Sequence, residues 1–359
     1  MIAENRALTY PKQCLLYCSE LKENCQEVVE TAKYNIEMLL KEKAPIIDRV
    51  IEKYIPRQFK ESTIADMLGK TKYKYNVEAV QKAIADPLWD LLDRGGKRWR
   101  PALFLLTAEA LGADQEKVSD FAVISEVVHN ATLVHDDIED MSKERRGQPC
   151  THIKFGEDIA VNAGDAMYFL PLIVIMKNRD RFPEGILLRA YEIFSKEMMA
   201  VSVGQATDIA WHRGLANADN ISEDEYLQMC ANKTGCLARM STKLGALLAG
   251  GSEEQIKAMG RLAESIGIAF QIQDDILNLT SEEFASKKGG FGEDITEGKR
   301  TLMVIHTFKK ASPAEKKRLI EILNMHTFDQ KLRDEAKAII KKHGSNENAK
   351  EFAKKLIKD

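Results

Sequence analysis

The stretch "LVHDDIEDM", Leu133 to Met141, sets Asp136, Asp137, Glu139 and Asp140 within one short segment flanked by apolar residues. On a helix, Asp136 and Asp140 stand four residues apart and share a face. Like charges at that spacing cost roughly 0.2–0.5 kcal/mol per pair. They also fall in the last turns of the apolar stretch, where the helix dipole disfavours anions. The segment opposes its own local stability twice, and a bound cation resolves both conflicts. An oxygen-only donor set without thiols or paired histidines suits magnesium, which keeps waters and shares its carboxylates with substrate phosphates. A frayed, charged helix end is the bland alternative. A second stretch, "FQIQDDILN" (Phe270–Asn278), places Asp274 and Asp275 late in another apolar helix. Two acidic helix ends facing each other across a bundle can hold more than one metal.

Outward from these stretches, apolar residues recur at helical spacing and strand-like alternation is scarce. Asp86 before Pro87 predicts an N-cap with a proline at the first helical position. Ser222 with Glu225, and Ser252 with Gln255, read as capping boxes. The second box opens a helix expected from Glu253 to about Leu279. Another is expected from about Lys117 to Met141. Long, capped, mostly apolar helices predict an all-α helical bundle. Residues 1–75 read as a helical N-terminal extension, linked by "LGKTKYKYN" to a main body over 76–359. The part from about Pro313 is expected to be helical, with a Lys-rich solvated face.

The chain has 359 residues and a formal charge of -3, with 44% hydrophobic and 30% charged residues. This is a globular composition, and its near-neutrality argues against a nucleic-acid binder. The six cysteines form no CxxC pair and read as reduced thiols of a cytosolic protein. Cys14, Cys18 and Cys25 lack an obvious fourth ligand for zinc. The N-terminus has no apolar signal core. The apolar run "MYFLPLIVIM" is too short to span a bilayer and is broken by Pro171. A cytoplasmic enzyme without a transmembrane segment is the expectation.

Basic residues complete the pattern. "RGGKRWRP" places Lys97, Arg98 and Arg100 just after two glycines. "KERRGQP" places Arg145 and Arg146 in the loop that leaves the first acidic helix. Arginine suits bidentate phosphate contacts; for Lys143 and Arg98, surface charge is the plainer reading. Acids for metal-bound phosphate and bases for bare phosphate point to two phosphorylated substrates. Glu126-x-x-His129 matches the motif of di-iron bundles, but a second copy is missing. His129 reads instead as a polar residue at a cavity edge.

DDIED, RRG, GGKRWRP, KTG, FQIQDD and EGK together resemble the trans-isoprenyl diphosphate synthases, from about Lys82 to Phe308. DDILN in place of a second DDxxD, with "HNATLVHDDIED" and "GEDITEGK", is similar to the eukaryotic-type geranylgeranyl diphosphate synthases. The resemblance implies an all-α isoprenoid synthase fold around a deep central cavity, usually dimeric, with 76–359 as the catalytic domain. It implies head-to-tail condensation of isopentenyl diphosphate with an allylic diphosphate (dimethylallyl, geranyl or farnesyl), dependent on magnesium. By the same resemblance Asp136, Asp140 and Asp274 bind the metal, with Asp137 and Asp275 supporting. Arg145, Lys233, Thr234, Gln271, Lys288 and Lys299 hold the allylic diphosphate. Lys287 is the alternative to Lys288, because "KKGGFGED" is one residue longer than the family pattern. Lys97, Arg100, His129 and Arg146 hold isopentenyl diphosphate, and "SKKGGFG" resembles a mobile lid.

Product length follows from what lines the cavity away from the metals. Ala131 and Thr132 precede Asp136 by about one turn, and neither is aromatic, so the short-product block of farnesyl synthases is missing. Tyr168 and Phe169 are the expected floor, with core aromatics as the alternative; Ser202 stands where a larger floor residue can sit. The expected main product is geranylgeranyl diphosphate, with twenty carbons. A farnesyl or longer-chain synthase is an alternative. A class I terpene cyclase binds one diphosphate and leaves GGKRWR and Arg146 without a role. A non-catalytic partner subunit of a prenyl synthase has no need of intact DDIED, RRG and KTG.

Overall fold

The computed structural model describes residues 36–280 and 292–358. The three N-terminal cysteines, Lys287, Lys288 and most of the expected lid lie outside the described residues. Helices form where the apolar spacing places them. They are α1 (Ile36–Tyr54), α2 (Glu61–Leu68), α3 (Asp86–Asp93), α4 (Trp99–Ala110), α5 (Ala122–Glu139), α6 (Glu157–Phe169) and the long α7 (Glu184–His212). There follow α8 (Glu223–Cys230), α9 (Cys236–Leu248), α10 (Glu253–Thr280), α11 (Leu302–Lys310), α12 (Pro313–Asn324), α13 (Gln330–Lys342) and α14 (Ser345–Lys358). The protein is the expected all-α bundle. Among the described residues, strand structure is confined to β1 (Glu144–Arg145), paired antiparallel with β2 (Gln148–Pro149).

Both capping boxes form. Ser222 and Glu225 exchange side-chain-to-backbone hydrogen bonds at the start of α8, and Ser252 does the same with Gln255 before α10. α5 starts later than expected, because a separate turn (Gln115–Val118, capped by Asp114) and the 3₁₀ turn Ser119–Phe121 come first. Asp86 is not an N-cap. The chain is already helical before it, widened into a π turn over Gln81–Ala85. That turn shifts the hydrogen-bond ladder just where Pro87 cannot donate. Asp86 instead accepts from Gln81 and Lys82.

Two cores organise the bundle. In the first, Ile47 and Ile51 of α1 pack in one cluster with Leu88, Phe104, Val127 and Leu244, so helices before and after residue 75 share a core. Buried Asp120 ties them together further, accepting from Lys53 at 2.8 Å, Tyr54 at 2.7 Å and Arg181 at 2.8 Å. The second core joins Tyr226 of α8, the later half of α10 (Ile268, Ile272, Ile276) and α11–α14. The first acidic motif ends a helix of the first core, and the second acidic motif ends a helix of the second. The stretch Glu157–Lys177 runs longer than expected, 21 residues, and is apolar enough to cross a membrane by length and composition. The 3₁₀ turn Leu170–Leu172, with Pro171, divides it.

Candidate functional site

α5 delivers the DDIED acids to the seam between the cores. Asp136 Oδ1 accepts from Lys233 at 3.2 Å and from Gln205 at 3.1 Å, and its other oxygen lies 3.6 Å from Arg145. Burial opposes its ionisation, but the charges of Lys233, Lys299 and Arg145 overcome this and hold the carboxyl well below the usual range. Asp137 is buried and takes Arg145 Nε at 2.8 Å. Asp140 accepts from Lys299 Nζ at 3.4 Å. Its burial, with the nearby carboxylates of Asp136 and Glu297, pushes it up to about 7 against the pull of Lys299. Lys299 also pairs with Glu297 and lies within electrostatic reach of Asp275, so it stands between the two acidic motifs.

The second acidic pair is split by its surroundings. Asp275 is buried, accepting from Gln271 at 2.8 Å and Tyr226 at 2.8 Å. Burial raises it to about 6 despite those bonds. Asp274 is partly exposed. Thr234 donates to Gln271 at 2.6 Å, which brings KTG and FQIQDD together.

KTG itself lies in a π turn, Ala231–Gly235, a distortion common at functional sites. It packs on α7 at Gly204, where an added Cβ would meet the backbone N of Lys233 at 2.3 Å. The close approach lets Lys233 reach Asp208 at 2.6 Å. Burial disfavours the Lys233 charge, but Asp136 and Asp208 outweigh it and raise its pKa. Asp208 and Gln205 were not expected from the sequence. The legible signal was an acid near the C-terminal end of a long helix, one turn beyond a glutamine.

A second, positive pole surrounds His129. Burial and the charges of Arg100, Arg146, Arg145 and Arg98 hold its imidazole well below the ordinary range. Burial lowers Arg100 to about 10. Its guanidinium lies over the Trp99 ring at 4.4 Å, and Trp99 stacks on Phe270 of α10 at 5.4 Å. Arg145 and Arg146 sit not in a plain loop but on a tight ribbon. Arg146 and Gly147, both at positive φ (56° and 72°), turn β1 into β2, as a two-residue hairpin requires. Arg146 then donates to Leu91 O at 3.1 Å. Lys97 is exposed beside this pole. Arg98 is no surface charge: it is 8% exposed and donates to Glu126 at 2.7 Å and Asp48 at 3.0 Å. That pairing also explains Glu126 of the ExxH pattern. Lys143 is exposed, as expected.

The residues expected to govern product length scatter. Ala131 is buried in the first core. Thr132 is half-buried and donates to His129 O at 2.7 Å. Tyr168 stacks on His135 with ring centroids 5.1 Å apart. Phe169 is 67% exposed, so within a single chain it closes no floor. Ser202 is exposed and bonds back to Met198 O.

The acidic pole fits a divalent cation. Asp140 Oδ1 is buried without a hydrogen-bond partner, a cost that a cation removes. The donors are hard carboxylate oxygens. Among the described residues no three His, Cys, Asp or Glu side chains form a cage by themselves. Hard carboxylates of this kind suit a divalent cation that draws further oxygen ligands from water or phosphate.

The chain is similar to known proteins over most of its length. It is 37% identical to a short chain isoprenyl diphosphate synthase of Methanothermobacter thermautotrophicus, over 72% of this chain and 77% of that protein. It is 34% identical to a geranylgeranyl diphosphate synthase of Sulfolobus acidocaldarius, over 76% and 80%. The crystal structure of a geranylgeranyl pyrophosphate synthetase from Pyrococcus horikoshii matches with a TM-score of 0.74 and 33% identity, covering 90% of this chain and 89% of that one. All three sources are archaeal, so the likeness is not particular to eukaryotic-type enzymes. The isoprenoid synthase fold is thereby shared. The polyprenyl synthetase family matches residues 81–341, and the chain belongs to that family as a prenyltransferase.

Proposed function

We propose that the protein condenses isopentenyl diphosphate head to tail with an allylic diphosphate and makes mainly geranylgeranyl diphosphate. The observation that carries this reading is a pair of charged clusters, one of largely half-buried acids threaded with lysines around Asp136 and Asp140 and one of arginines around His129. Each suits a different diphosphate. Asp136, Asp140 and Asp274 are the metal donors in this reading, and magnesium is the metal. When bound, it stabilises the charge that develops on the leaving diphosphate. Arg145, Lys233 and Lys299 lie among those acids and hold the allylic diphosphate, with Thr234 and Gln271 orienting the turn. Arg100, Arg146, Lys97 and His129 hold isopentenyl diphosphate. His129, kept neutral by burial and by its cationic neighbours, serves as a hydrogen-bonding group and adds no charge. A terpene cyclase leaves this second pole without a ligand.

A second copy of the chain completes the reading. Val161 and Phe169 on α6, and Leu188, Met199 and Val203 on α7, are exposed apolar residues. Those on α7 recur at helical spacing and form one stripe. We assign this face to a homodimer, in which Phe169 is covered by the partner. The buried free thiols of Cys150, Cys230 and Cys236 support a reducing, cytoplasmic setting.

Labelled isopentenyl diphosphate, incubated with and without an allylic partner, tests the function. Elongation only with the partner, to a twenty-carbon alcohol after dephosphorylation, is the expected result. Cyclised hydrocarbon or no transfer counts against it. Thr132→Phe is expected to shorten the product by at least one five-carbon unit, because Thr132 lies on α5 one turn below Asp136. Unchanged chromatograms contradict that placement. Arg100→Ala is expected to raise KM for isopentenyl diphosphate by about tenfold or more, the loss of one charged hydrogen bond, and to move KM for the allylic substrate far less. Equal shifts in both refute the two-pole assignment.

A further inference from the structure

Tyr226 lies on α8, which has no part in the reading above. It is 1% exposed, and its hydroxyl donates to Asp275 Oδ2 at 2.8 Å. The other oxygen of Asp275 accepts from Gln271 Nε2 at 2.8 Å. Gln271 Oε1 in turn accepts from Thr234 Oγ1 at 2.6 Å. Thr234, Gln271, Asp275 and Tyr226 therefore form one hydrogen-bonded relay. It begins on the KTG turn, crosses α10 and returns to α8, which leads directly into the KTG turn. Both ends of the relay thus stand on one continuous helical stretch, and α10 is pinned between them.

Each carboxylate oxygen of Asp275 has a protein donor, and the acid of this motif assigned to the metal in the reading above is its neighbour Asp274. A buried side chain held at both oxygens fixes the rotation of the last turns of α10. That rotation sets the direction in which Asp274 projects. The tyrosine is well suited to the task. Its hydroxyl rides on a rigid ring inside the second core, whereas the Gln271 amide hangs on a flexible stem. Groups that orient ligands in this way typically alter metal affinity by about tenfold to a hundredfold when removed.

Resting on the metal-dependent reading of the site, we propose that Tyr226 is a positioning residue of the second acidic motif, its hydroxyl holding Asp275 so that Asp274 faces the metal–diphosphate. Tyr226→Phe deletes that hydroxyl alone. Mn2+ titrated into the full chain with inorganic pyrophosphate, followed by calorimetry and by the electron paramagnetic resonance of free Mn2+, reads the effect without turnover. Affinity for Mn2+ is expected to fall about tenfold, with an unchanged circular dichroism spectrum and an unchanged KM for isopentenyl diphosphate. The double variant Tyr226→Phe/Asp275→Leu is expected to bind Mn2+ no more weakly than Asp275→Leu, because the tyrosine acts through that carboxylate. The comparison also decides the matter if Tyr226→Phe alone folds poorly. A Tyr226→Phe protein with a lowered Tm and wild-type Mn2+ affinity makes the tyrosine merely structural and overturns the proposal. Additive losses in the double variant also overturn it. If the wild-type chain binds no Mn2+ with pyrophosphate, the metal reading of the site fails, and the proposal fails with it.

Discussion

Asp136→Ala is expected to lower turnover by about a hundredfold or more, the scale of losing one preorganised electrostatic contact. Asp136 meets Lys233, Gln205 and Arg145, so its loss touches both the proposed metal donors and the cations proposed to face the leaving diphosphate. The fold should survive. Lys233 keeps Asp208 at 2.6 Å, and Arg145 keeps Asp137, so neither half-buried cation is left unpaired. A Tm close to wild type beside a collapsed kcat is therefore the predicted pair of results. EDTA should abolish wild-type activity and magnesium restore it. Near-normal turnover of Asp136→Ala, or full activity without a divalent metal, removes the acidic pole from the mechanism.

Gly204→Ala is expected to damage both stability and activity. Its new methyl group would lie 2.3 Å from Lys233 N, 2.6 Å from Asn232 C and 2.7 Å from Lys233 Cα. These are backbone atoms and cannot swing aside as a side chain can. α7 and the KTG turn must part, at an overpacking cost of about 1–3 kcal/mol. Lys233 then moves relative to Asp136 and Asp208. A misplacement of about 1 Å in a catalytic constellation costs on the order of a hundredfold in rate. Gly185→Ala is the control: it lies at the start of the same helix and its added Cβ meets nothing within 4 Å. Urea denaturation and kcat should separate the two variants clearly. Equal behaviour would mean that the contact at Gly204 yields easily and does not set the position of Lys233.

Much of the site was legible because its signals are local. An acid pair at i and i+4 at the end of an apolar helix is a conflict visible without coordinates, and Asp136 on α5 and Asp140 at its C-terminal cap stand beside Lys233 and Lys299. The capping boxes at Ser222 and Ser252 were equally readable, since each is completed within four residues. Asp86 misled because its proline signal is the same for a helix start and for a helix widened just ahead of the proline. The ribbon around Arg146 and Gly147 was missed because each strand is two residues long, too short for any alternation to show.

From its sequence alone this protein is a bundle of capped, amphipathic helices carrying two acidic ends and two basic segments, because periodicity, capping and like-charge crowding are properties of neighbours in the chain. Only the tertiary structure decided which charges meet. Arg98 turned inward to Glu126, 28 residues away, and Lys233 found Asp208, 25 residues away. Phe169 turned outward, and Asp275 was claimed by Tyr226. Those outcomes depend on which face each helix buries and how closely two backbones approach. Both are set by packing between distant segments, such as α7 against the KTG turn at Gly204, and local spacing carries no record of them.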